Sequence, residues 1–445
     1  MLLSSCVFHF FFSKGERSKL WFFFYRTTIL FIFILLFFNR IVLMDEIMFL
    51  FYFLNFLTFS FIYFYNHFSL KMSKEILPLF LLLEISIYLC LWTTNLLLFY
   101  IAFEITLFFF FYLISILGSR SRKIHATYLL ILYTVFGSIF LLSAMVLFWF
   151  IYGTLEISNL SLLEREPFLE RVIALLLFVG FAVKVPLFPL HLWLLEAHVE
   201  AHTTTSVLLA AMILKLGGIG MLKFMVPFLS WENQMWFLSW IVGFLVFGLI
   251  FCSISLIYQL DLKRFVALSS IIHMNFSMIS LFSLTEEGIS GFILSMFAHG
   301  LTAAGLFFSI GILYERFGSR NLLSFGSLVI LLPRFTFCFF IFLLCNASFP
   351  GTLNFLGEIV SFFGIQEKSF SLSLFLLIIL SNTILMSFWV GVKLSFGNRL
   401  TVTKFSDIHF SERFILYSLV FFNLLFGLFL SERLTSFISY EILFF

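Results

Sequence analysis

Long apolar stretches separated by short polar ones run along almost the whole chain. The hydrocarbon core of a bilayer is about 30 Å thick, so a spanning helix needs about 20 mostly apolar residues. By this measure the pattern predicts thirteen spanning helices, at residues 20–38, 47–65, 76–91, 96–117, 126–152, 172–190, 203–226, 235–258, 265–284, 289–313, 335–364, 370–396 and 414–430. Residues 1–12 form a shorter apolar stretch that would add a fourteenth, and they carry no small-residue cleavage site of a signal peptide. The predicted fold class is an all-α polytopic membrane protein.

The polar connections between these stretches alternate in charge. One set is positive and contains Lys14, Arg17, Lys19, Lys71, Lys74, Arg120, Arg122, Lys123, Lys263, Arg264, Arg316, Arg320, Arg399 and Lys404. The other set is acidic or mixed and contains Asp45, Glu46, Glu156 to Glu170, Glu232, Glu286 and Glu287. The positive-inside rule places the first set in the mitochondrial matrix or the bacterial cytoplasm.

The composition excludes a water-soluble protein of this size. Hydrophobic residues make up 62% of the chain and charged residues 11%, whereas soluble domains carry about 25% charged residues. The net charge is only +3 and is spread between the helices, so no basic face for nucleic acid is expected. Lipid is therefore the expected surrounding medium.

Neither the cysteines nor the short motifs predict a bound cofactor. The five cysteines are Cys6, Cys90, Cys252, Cys338 and Cys345, and no two of them form a C-x-x-C pair. Iron–sulfur clusters and structural zinc need clustered thiolates, so neither is expected. The segment KLGGIGMLK lacks the spacing of a dinucleotide-binding loop, and the chain has neither a Walker A motif nor H-E-x-x-H. No cofactor and no metal are therefore predicted in this chain.

Helix-breaking residues interrupt two of the predicted spans. Pro186 and Pro189 lie near the end of the span 172–190, and Ser348, Pro350 and Gly351 lie inside the span 335–364. Proline removes a backbone donor and clashes with the preceding turn, so both helices should be broken. A pair of broken helices at membrane depth indicates an ion path. The alternative is a simple proline kink.

A charge inside a predicted span costs about 2.5–3.5 kcal/mol, and six of the ionisable residues in the spans are candidates for function. They are Glu104, Lys184, Lys215, His273, His299 and Glu358. Singly, each has a structural explanation, such as an acid paired for assembly, a helix cap, a lysine that snorkels to the interface, or a satisfied core histidine. Together they form a titratable series of the kind that proton relays use. Burial favours the neutral amine of a lysine and a neighbouring carboxylate favours the charged form, so a separable pair would switch proton affinity.

Several sequence blocks resemble one known family. They are LFYIAFE, KVPLFPLHLWLLEAHVEA, LLAAMILKLGGIGMLK, QLDLKRFVALSSIIHM, AHGLTAAGLF and FPGTLNFLGE, and they follow in order between about residues 76 and 395. They are similar to the chain 4 family of mitochondrial NADH:ubiquinone oxidoreductase (complex I), which belongs to the antiporter-like proton-translocating subunits. Chains 2 and 5 and the multi-subunit cation/proton antiporters share the Glu and Lys pattern, but HLWLLEAHVEA and KLGGIG favour chain 4.

The resemblance implies a fold and a function. The fold would have about fourteen helices in two inverted five-helix repeats, with broken helices seven and twelve. Residues 1–75 would be N-terminal helices, 76–396 the antiporter-like core, and 397–445 a C-terminal helix and tail. The function would be proton translocation across the mitochondrial inner membrane. Flavin, iron–sulfur clusters and quinone would lie in other subunits, and the partners would be neighbouring membrane-arm chains and lipids.

The motif match also implies a role for each residue of the series. Glu104 and Lys184 would be the coupled ion pair, and Lys215 would be the central relay lysine. His273 and His299 would bridge toward the second half of the path.

The match also covers Glu358 and several residues outside the titratable series. Glu358 would be the terminal site on the exit side. His191 and His198 would lie in the loop after the first broken helix. Asp261 and Lys263 match a D-x-K loop that would contact neighbouring subunits or a helix end.

The sequence departs from the family at four positions. The family usually has proline and lysine where Leu195 and Glu196 stand, and proline where His202 stands. Glu84 is an additional intramembrane carboxylate, which we expect to be buried and protonated rather than part of a path. The loop around Glu196 and His202 is expected to differ in shape and charge.

Two other functions fit part of this pattern. A free-standing cation/proton antiporter would share the fold and would work without redox partners. A structural membrane-arm subunit would use the same charges only to hold neighbouring helices, and their substitution would then harm assembly before pumping.

Overall fold

The computed structural model describes residues 46–68, 76–118, 121–156, 166–228, 231–398 and 406–428. These residues form helices joined by short connections. The helices are α1 (Glu46–Phe68), α2 (Ile76–Trp92), α3 (Leu96–Leu117), α4 (Lys123–Tyr152), α5 (Pro167–Lys184), α6 (Leu192–Glu200), α7 (Thr203–Met225), α8 (Trp231–Ile257), α9 (Leu262–Phe282), α10 (Glu286–Phe317), α11 (Leu328–Leu331), α12 (Pro333–Asn346), α13 (Leu353–Lys368), α14 (Phe370–Phe396) and α15 (Phe410–Leu428).

The predicted spans agree with these helices. Within the described part of the chain, nine helices are long and apolar enough to cross a membrane, and α2 and α12 are shorter apolar helices. Nine predicted spans match the long helices, the span 76–91 matches α2, and the two spans with breakers are divided helices. The span 20–38 and the stretch 1–12 lie outside the described residues, as do Cys6, Lys14, Arg17, Lys19, Asp45, Lys71, Lys74, Arg120, Arg399 and Lys404.

Polar side chains begin several helices by satisfying free backbone amides. The side chain of Asn95 accepts from Leu97 N at 3.0 Å, and that of Asp261 accepts from Lys263 N at 2.9 Å. Thr285 does the same for Gly288 N at 2.9 Å. The first turn of a helix has no internal partners for these amides, so a short oxygen-bearing side chain fixes where each helix starts.

Three helices form the core and the others surround them. The apolar windows of α7, α9 and α10 are entirely buried, whereas less than half of the corresponding windows of α3, α4, α8, α14 and α15 is buried. A helix that is apolar on all sides either lies in a protein core or faces lipid. The outer helices expose large apolar side chains, and the core helices carry Lys215, His273 and His299.

The charge pattern of the connections corresponds to the two ends of the bundle. At one end, Lys263 Nζ donates to Ala201 O at 2.7 Å, and Arg316 Nε donates to Ser406 O at 3.2 Å. We call this the positive end. At the other end, Asn95 and Glu156 form a β-bridge, so the connection with Glu156 lies beside the start of α3.

The first predicted break is confirmed between α5 and α6. Pro186 has no amide hydrogen to donate to Ala182 O, and Leu187 N donates to that carbonyl instead at 2.9 Å. The indole Nε1 of Trp193 donates to Val183 O at 3.0 Å. The carbonyls freed by the proline are therefore satisfied inside the protein, as is required where no water is available.

The second predicted break is confirmed between α12 and α13. Phe349 N donates to Leu344 O at 3.0 Å, which ends α12, and the Thr352 hydroxyl accepts from Phe355 N at the start of α13. Asn423 Oδ1 of α15 accepts from Leu353 N at 3.2 Å. The chain runs toward the positive end through α5 and α6 and away from it through α12 and α13, so the two broken helices have opposite directions.

Small residues allow α10 and α13 to cross almost in backbone contact. A carbon added at Gly357 would lie 2.7 Å from Ser295 N, and one added at Gly291 would clash with the backbone of Ser361. Helices inside a membrane associate by such close packing because lipid provides no hydrophobic drive between them. This crossing brings Glu358 of α13 to the interior of the bundle.

We expect Gly357→Val to disrupt this crossing, because the added carbons must push α10 and α13 apart at a cost of roughly 1–3 kcal/mol. The amount of chain assembled in the membrane and the midpoint of its thermal unfolding should both fall. Gly243→Val is the matched control, since an added carbon at Gly243 has no atom within 4 Å. Equal behaviour of the two variants would contradict the packing argument.

Candidate functional site

Glu104 and Lys184 form an ion pair at the first break. Lys184 is the last residue of α5, and its Nζ lies 3.3 Å from Glu104 Oε1 of α3 and 5.0 Å from the centre of the Phe103 ring. The lysine side chain is 0% exposed and the glutamate side chain 30%. Lys184 therefore does not snorkel to the interface. A buried ammonium needs such a partner because hydrocarbon cannot solvate it.

Lys215 lies at the centre of α7 in an irregular part of the helix. The turn Leu214–Gly220 is α-helical, and the turns before and after it, Leu209–Ile213 and Met221–Met225, are π-helical. Lys215 Nζ donates to Ala210 O at 2.5 Å, a carbonyl inside the first π-helical turn. Such turns are frequent at functional sites, because the wider turn changes the direction of side chains and carbonyls.

Glycine brings α7 against the first break. A carbon added at Gly217 would lie 2.8 Å from Val185 Cγ2 and 3.2 Å from Lys184 Cβ. The α7 backbone at Gly217, two residues beyond Lys215, thus packs against Lys184 and Val185 at the end of α5. Within the described chain, no hydrogen bond joins Lys184 to Lys215, so the two lysines are neighbours through packing.

Four ionisable side chains form a continuous series across the core. Lys215 Nζ is hydrogen-bonded to His299 Nδ1 of α10 at 2.8 Å. The rings of His299 and His273 have centroids 5.7 Å apart. His273 Nδ1 of α9 lies 2.9 Å from Glu358 Oε1 of α13. The predicted residues therefore form two groups, the pair Glu104–Lys184 and the series from Lys215 to Glu358.

A small cavity lies at the far end of this series, with room for about one water molecule. It is lined by His273, Phe276, Ser295, His299, Asn354 and Glu358. A proton moves between groups that are hydrogen-bonded directly or through one water, and imidazole can receive it on one nitrogen and release it from the other. The hydrogen bond between Lys215 and His299 meets this requirement directly. His273, His299 and Glu358 share the cavity, and His273 Nδ1 lies 2.9 Å from Glu358 Oε1.

The implied loop position is confirmed for His191 and is wrong for His198. His191 lies at the break and stacks on Phe188 with ring centroids 5.5 Å apart. His198 lies inside helix α6, fully buried, with its ring 4.4 Å from that of Phe307. The segment LWLLEAHVE folds as a helix because its apolar side chains pack inside the bundle, and His198 is consequently buried.

The D-x-K motif acts within this chain. Asp261 caps α9, and Lys263 Nζ binds the carbonyl of Ala201 at the C-terminal end of α6. The contact with a helix end is therefore confirmed. Arg320, on the next positive connection, donates to Val199 O and lies 3.6 Å from Asp261 Oδ2.

The departures from the family have definite positions. Glu196 Oε1 accepts from Arg264 Nη2 at 2.7 Å at the positive end. His202 Nδ1 lies 3.1 Å from Thr204 Oγ1 at the start of α7. Glu84 is buried on α2, and its carboxylate accepts from the Tyr63 hydroxyl at 3.4 Å. The changed charge at position 196 is thus balanced by a cation of the same chain.

Three polar residues near the site were not predicted. Asn354 and Thr302 lie beside the series, and Lys223 donates to Leu91 O and Thr93 O at the end of α2. Asn354 stands in FPGTLNFLGE, directly after the break, which was the available signal for it. Thr302 resembles any helix threonine in the sequence, so nothing distinguished it.

The cysteines lie apart from the site. Cys90, Cys252, Cys338 and Cys345 are free and buried. Among the residues that the structure describes, no group of three His, Cys, Asp or Glu side chains is arranged to hold a metal ion.

The comparisons with known proteins agree on one family. The family described as NADH:quinone oxidoreductase/Mrp antiporter, transmembrane, matches residues 93–387. A relative, NADH-ubiquinone oxidoreductase chain 4 of Acanthamoeba castellanii, is 38% identical over 340 residues, which are 75% of this chain and 67% of the relative.

Two solved structures share the fold. A chain of respiratory complex I from Thermus thermophilus with bound NADH gives a TM-score of 0.79 at 24% identity, covering 87% of this chain and 84% of that chain. A chain of the Mrp complex from Dietzia sp. DQ12-45-1b gives a TM-score of 0.81 at 16% identity, covering 90% and 83%. At these identities the likeness concerns the fold alone.

We expect substitutions in the ion pair to be unequal. Glu104→Gln leaves a fully buried lysine that must either lose its proton or remain uncompensated, a cost of about 3 kcal/mol. Lys184→Met leaves only the partly exposed glutamate, so it should lower the thermal midpoint of the assembled protein less. The double variant should resemble Lys184→Met. If Glu104→Gln were the milder single change, the pair would not stabilise Lys184.

Proposed function

The chain belongs to the NADH:quinone oxidoreductase/Mrp antiporter transmembrane family, and from this membership we propose that it conducts protons along its buried ionisable residues. It is a multi-pass membrane protein of the NADH-ubiquinone oxidoreductase chain 4 type, a proton-translocating subunit of that enzyme. The residues that carry the protons and the order in which they act are our proposal.

The observation that carries the proposal is the series Lys215, His299, His273 and Glu358. Successive members are joined by a hydrogen bond of 2.8 Å, adjacent rings 5.7 Å apart and a contact of 2.9 Å. Each step is within reach of a direct transfer or a transfer through one water. We assign Lys215 as the proton store at the centre and Glu358 as the group that passes the proton toward the exit.

The ion pair is proposed to control this series. Glu104 favours the charged form of Lys184, and separation of the two would remove that stabilisation. Lys184 would then release its proton, and the change in charge would act on Lys215 across the packed contact of Gly217 with Val185. The pair thus would couple an outside electrostatic signal to the proton series.

An outside energy source is required. Moving one proton against a potential of 100 mV costs about 2.3 kcal/mol. We propose that electron transfer from NADH to ubiquinone supplies it in partner subunits, which would hold the flavin, the iron–sulfur clusters and the quinone. The chain itself would use no cofactor.

We propose the mitochondrial inner membrane as the location and neighbouring antiporter-like chains as direct partners. The support is that the relatives at 35–42% identity carry the name NADH-ubiquinone oxidoreductase chain 4. The partly exposed Glu104 and the apolar outer faces of α3 and α4 suit contact with a neighbouring chain or with lipid.

The two alternative functions predict different behaviour. A free-standing antiporter would exchange cations for protons without a redox subunit, so purification with flavin and iron–sulfur subunits counts against it. A structural subunit would lose assembly, rather than pumping, when a charge of the series is replaced.

We expect Lys215→Ala and Glu104→Ala to abolish or sharply reduce pumping, by at least about tenfold, while the complex still assembles. The reason is that Lys215→Ala removes the proposed proton store, and Glu104→Ala removes the carboxylate that favours the charged form of Lys184. Proton uptake and NADH oxidation would be measured together in vesicles that contain the purified complex. Lys393→Ala is the matched control, because Lys393 lies over the Trp389 ring and outside the series.

Full pumping in either Lys215→Ala or Glu104→Ala would refute the proposed path. A loss of assembly before any loss of pumping would favour the structural alternative. Equal loss in the Lys393→Ala control would show that any lysine substitution in these helices disturbs the protein.

A further inference from the structure

Asn354 is a buried amide at the second break that the proton series does not include. It lies in the first turn of α13, with 3% of its surface exposed, and it lines the cavity shared by His273, His299 and Glu358. The cap formed by Thr352 fixes the start of α13 and therefore the direction of this side chain. Its position beside two histidines and a carboxylate calls for a role.

A hydrogen bond to α10 determines which way the amide points. The Thr302 hydroxyl donates to the helix carbonyls of Ala298 and His299, at 3.3 and 3.2 Å. Its oxygen is therefore left as an acceptor, and Asn354 Nδ2 donates to it at 3.4 Å. With the amide nitrogen turned to Thr302, the carbonyl Oδ1 is the atom presented on the other side.

Three polar atoms beside the cavity have no hydrogen-bond partner among the described residues. They are Asn354 Oδ1, His273 Nε2 and Glu358 Oε1, and the last of these lies 2.9 Å from His273 Nδ1 without the geometry of a hydrogen bond. Buried polar atoms are rarely left unsatisfied, and a site with several such atoms and room for one water binds a water. The amide oxygen can only accept, so the group that it binds must donate a hydrogen to it.

We propose that Asn354 is a positioning residue of the proton path, which binds the water between the two histidines and Glu358. This inference rests on the proposed function. One hydrogen of that water points to Asn354 Oδ1, and its oxygen and remaining hydrogen are then directed at His273 and Glu358. A carbonyl dipole also stabilises a positive carrier, either a protonated water or an imidazolium, more than a neutral one. Thr302 has a secondary role, because it holds the amide in this orientation.

A purely structural role makes a different prediction. In that case the bond between Asn354 and Thr302 would only attach α13 to α10. Loss of the amide would then reduce assembly or stability and would leave the number of protons moved per NADH unchanged.

The experiment compares two variants of nearly the same size in the assembled complex. Asn354→Leu fills the same volume without an acceptor, so extra water cannot enter to replace it. Asn354→Asp keeps an acceptor oxygen in the same place. We expect Asn354→Leu to lower the pumping rate by roughly three- to tenfold, and Asn354→Asp to retain more pumping than Asn354→Leu.

A solvent isotope measurement separates proton transfer from assembly. Pumping by Asn354→Leu should be slowed more by D₂O than pumping by the unmodified complex, because transfer at the cavity becomes the slow step. Asn423→Leu is the matched control, since Asn423 is a buried amide at the same break that does not line the cavity. It should pump the same number of protons per NADH as the unmodified complex.

Unchanged pumping and an unchanged isotope effect in assembled Asn354→Leu would overturn the inference, and so would an equal loss in Asn423→Leu. If Asn354→Leu does not assemble, Thr302→Val decides, because it removes only the hydroxyl that orients the amide. A normal isotope effect in Thr302→Val would then count against the proposal. Glu358→Gln distinguishes a failure of the proton path from a failure of the role of Asn354. Full pumping in Glu358→Gln would contradict the path itself. Loss of pumping in Glu358→Gln, together with normal pumping in Asn354→Leu, would contradict only the role of Asn354.

Discussion

Hydrocarbon does not solvate charge, and this constraint determines how the interior of the bundle is built. Each intramembrane ion of the series has a partner that the fold supplies. Lys184 has a carboxylate at 3.3 Å, Lys215 has a carbonyl and an imidazole, and Glu358 has His273 at 2.9 Å. A partner that stabilises a charge can also accept its proton, so the same contacts that make burial tolerable suit the proposed proton series.

The two broken helices give this interior its polar backbone. Each break exposes carbonyls and amides at membrane depth, and each is closed by groups from elsewhere in the fold, the Trp193 indole in one case and the Asn423 amide in the other. Lys184 ends the helix before the first break, and Glu358 lies in the helix after the second. The helices with the breaks run in opposite directions. The series from Lys215 to Glu358 ends at the second break, and α7 beside Lys215 packs against the first.

Most of the architecture could be predicted from the sequence, because apolar length and helix breakers act locally. The breaks at Pro186 and Pro350 followed from backbone chemistry. The six candidate residues, which are the ion pair and the series, followed from the cost of charge in lipid. The sequence could not show which residues of different helices lie close together. The contacts of His299 with Lys215 and of His273 with Glu358 join different helices, and the burial of His198 depends on Phe307, which lies more than a hundred positions away in the chain. Asn354 carries no charge, so the cost of charge in lipid does not single it out, and only its position directly after the break does.

The two members of the ion pair, Lys184 and Glu104, differ in how far their side chains are exposed. Lys184 is sealed inside, whereas about a third of the Glu104 side chain is uncovered on the outer side of α3. In the proposed mechanism, a charge on an adjacent molecule would act on the buried lysine most directly through this carboxylate, which lies 3.3 Å from it. The outer face of α3 would then be the surface at which a neighbouring subunit controls the ion pair.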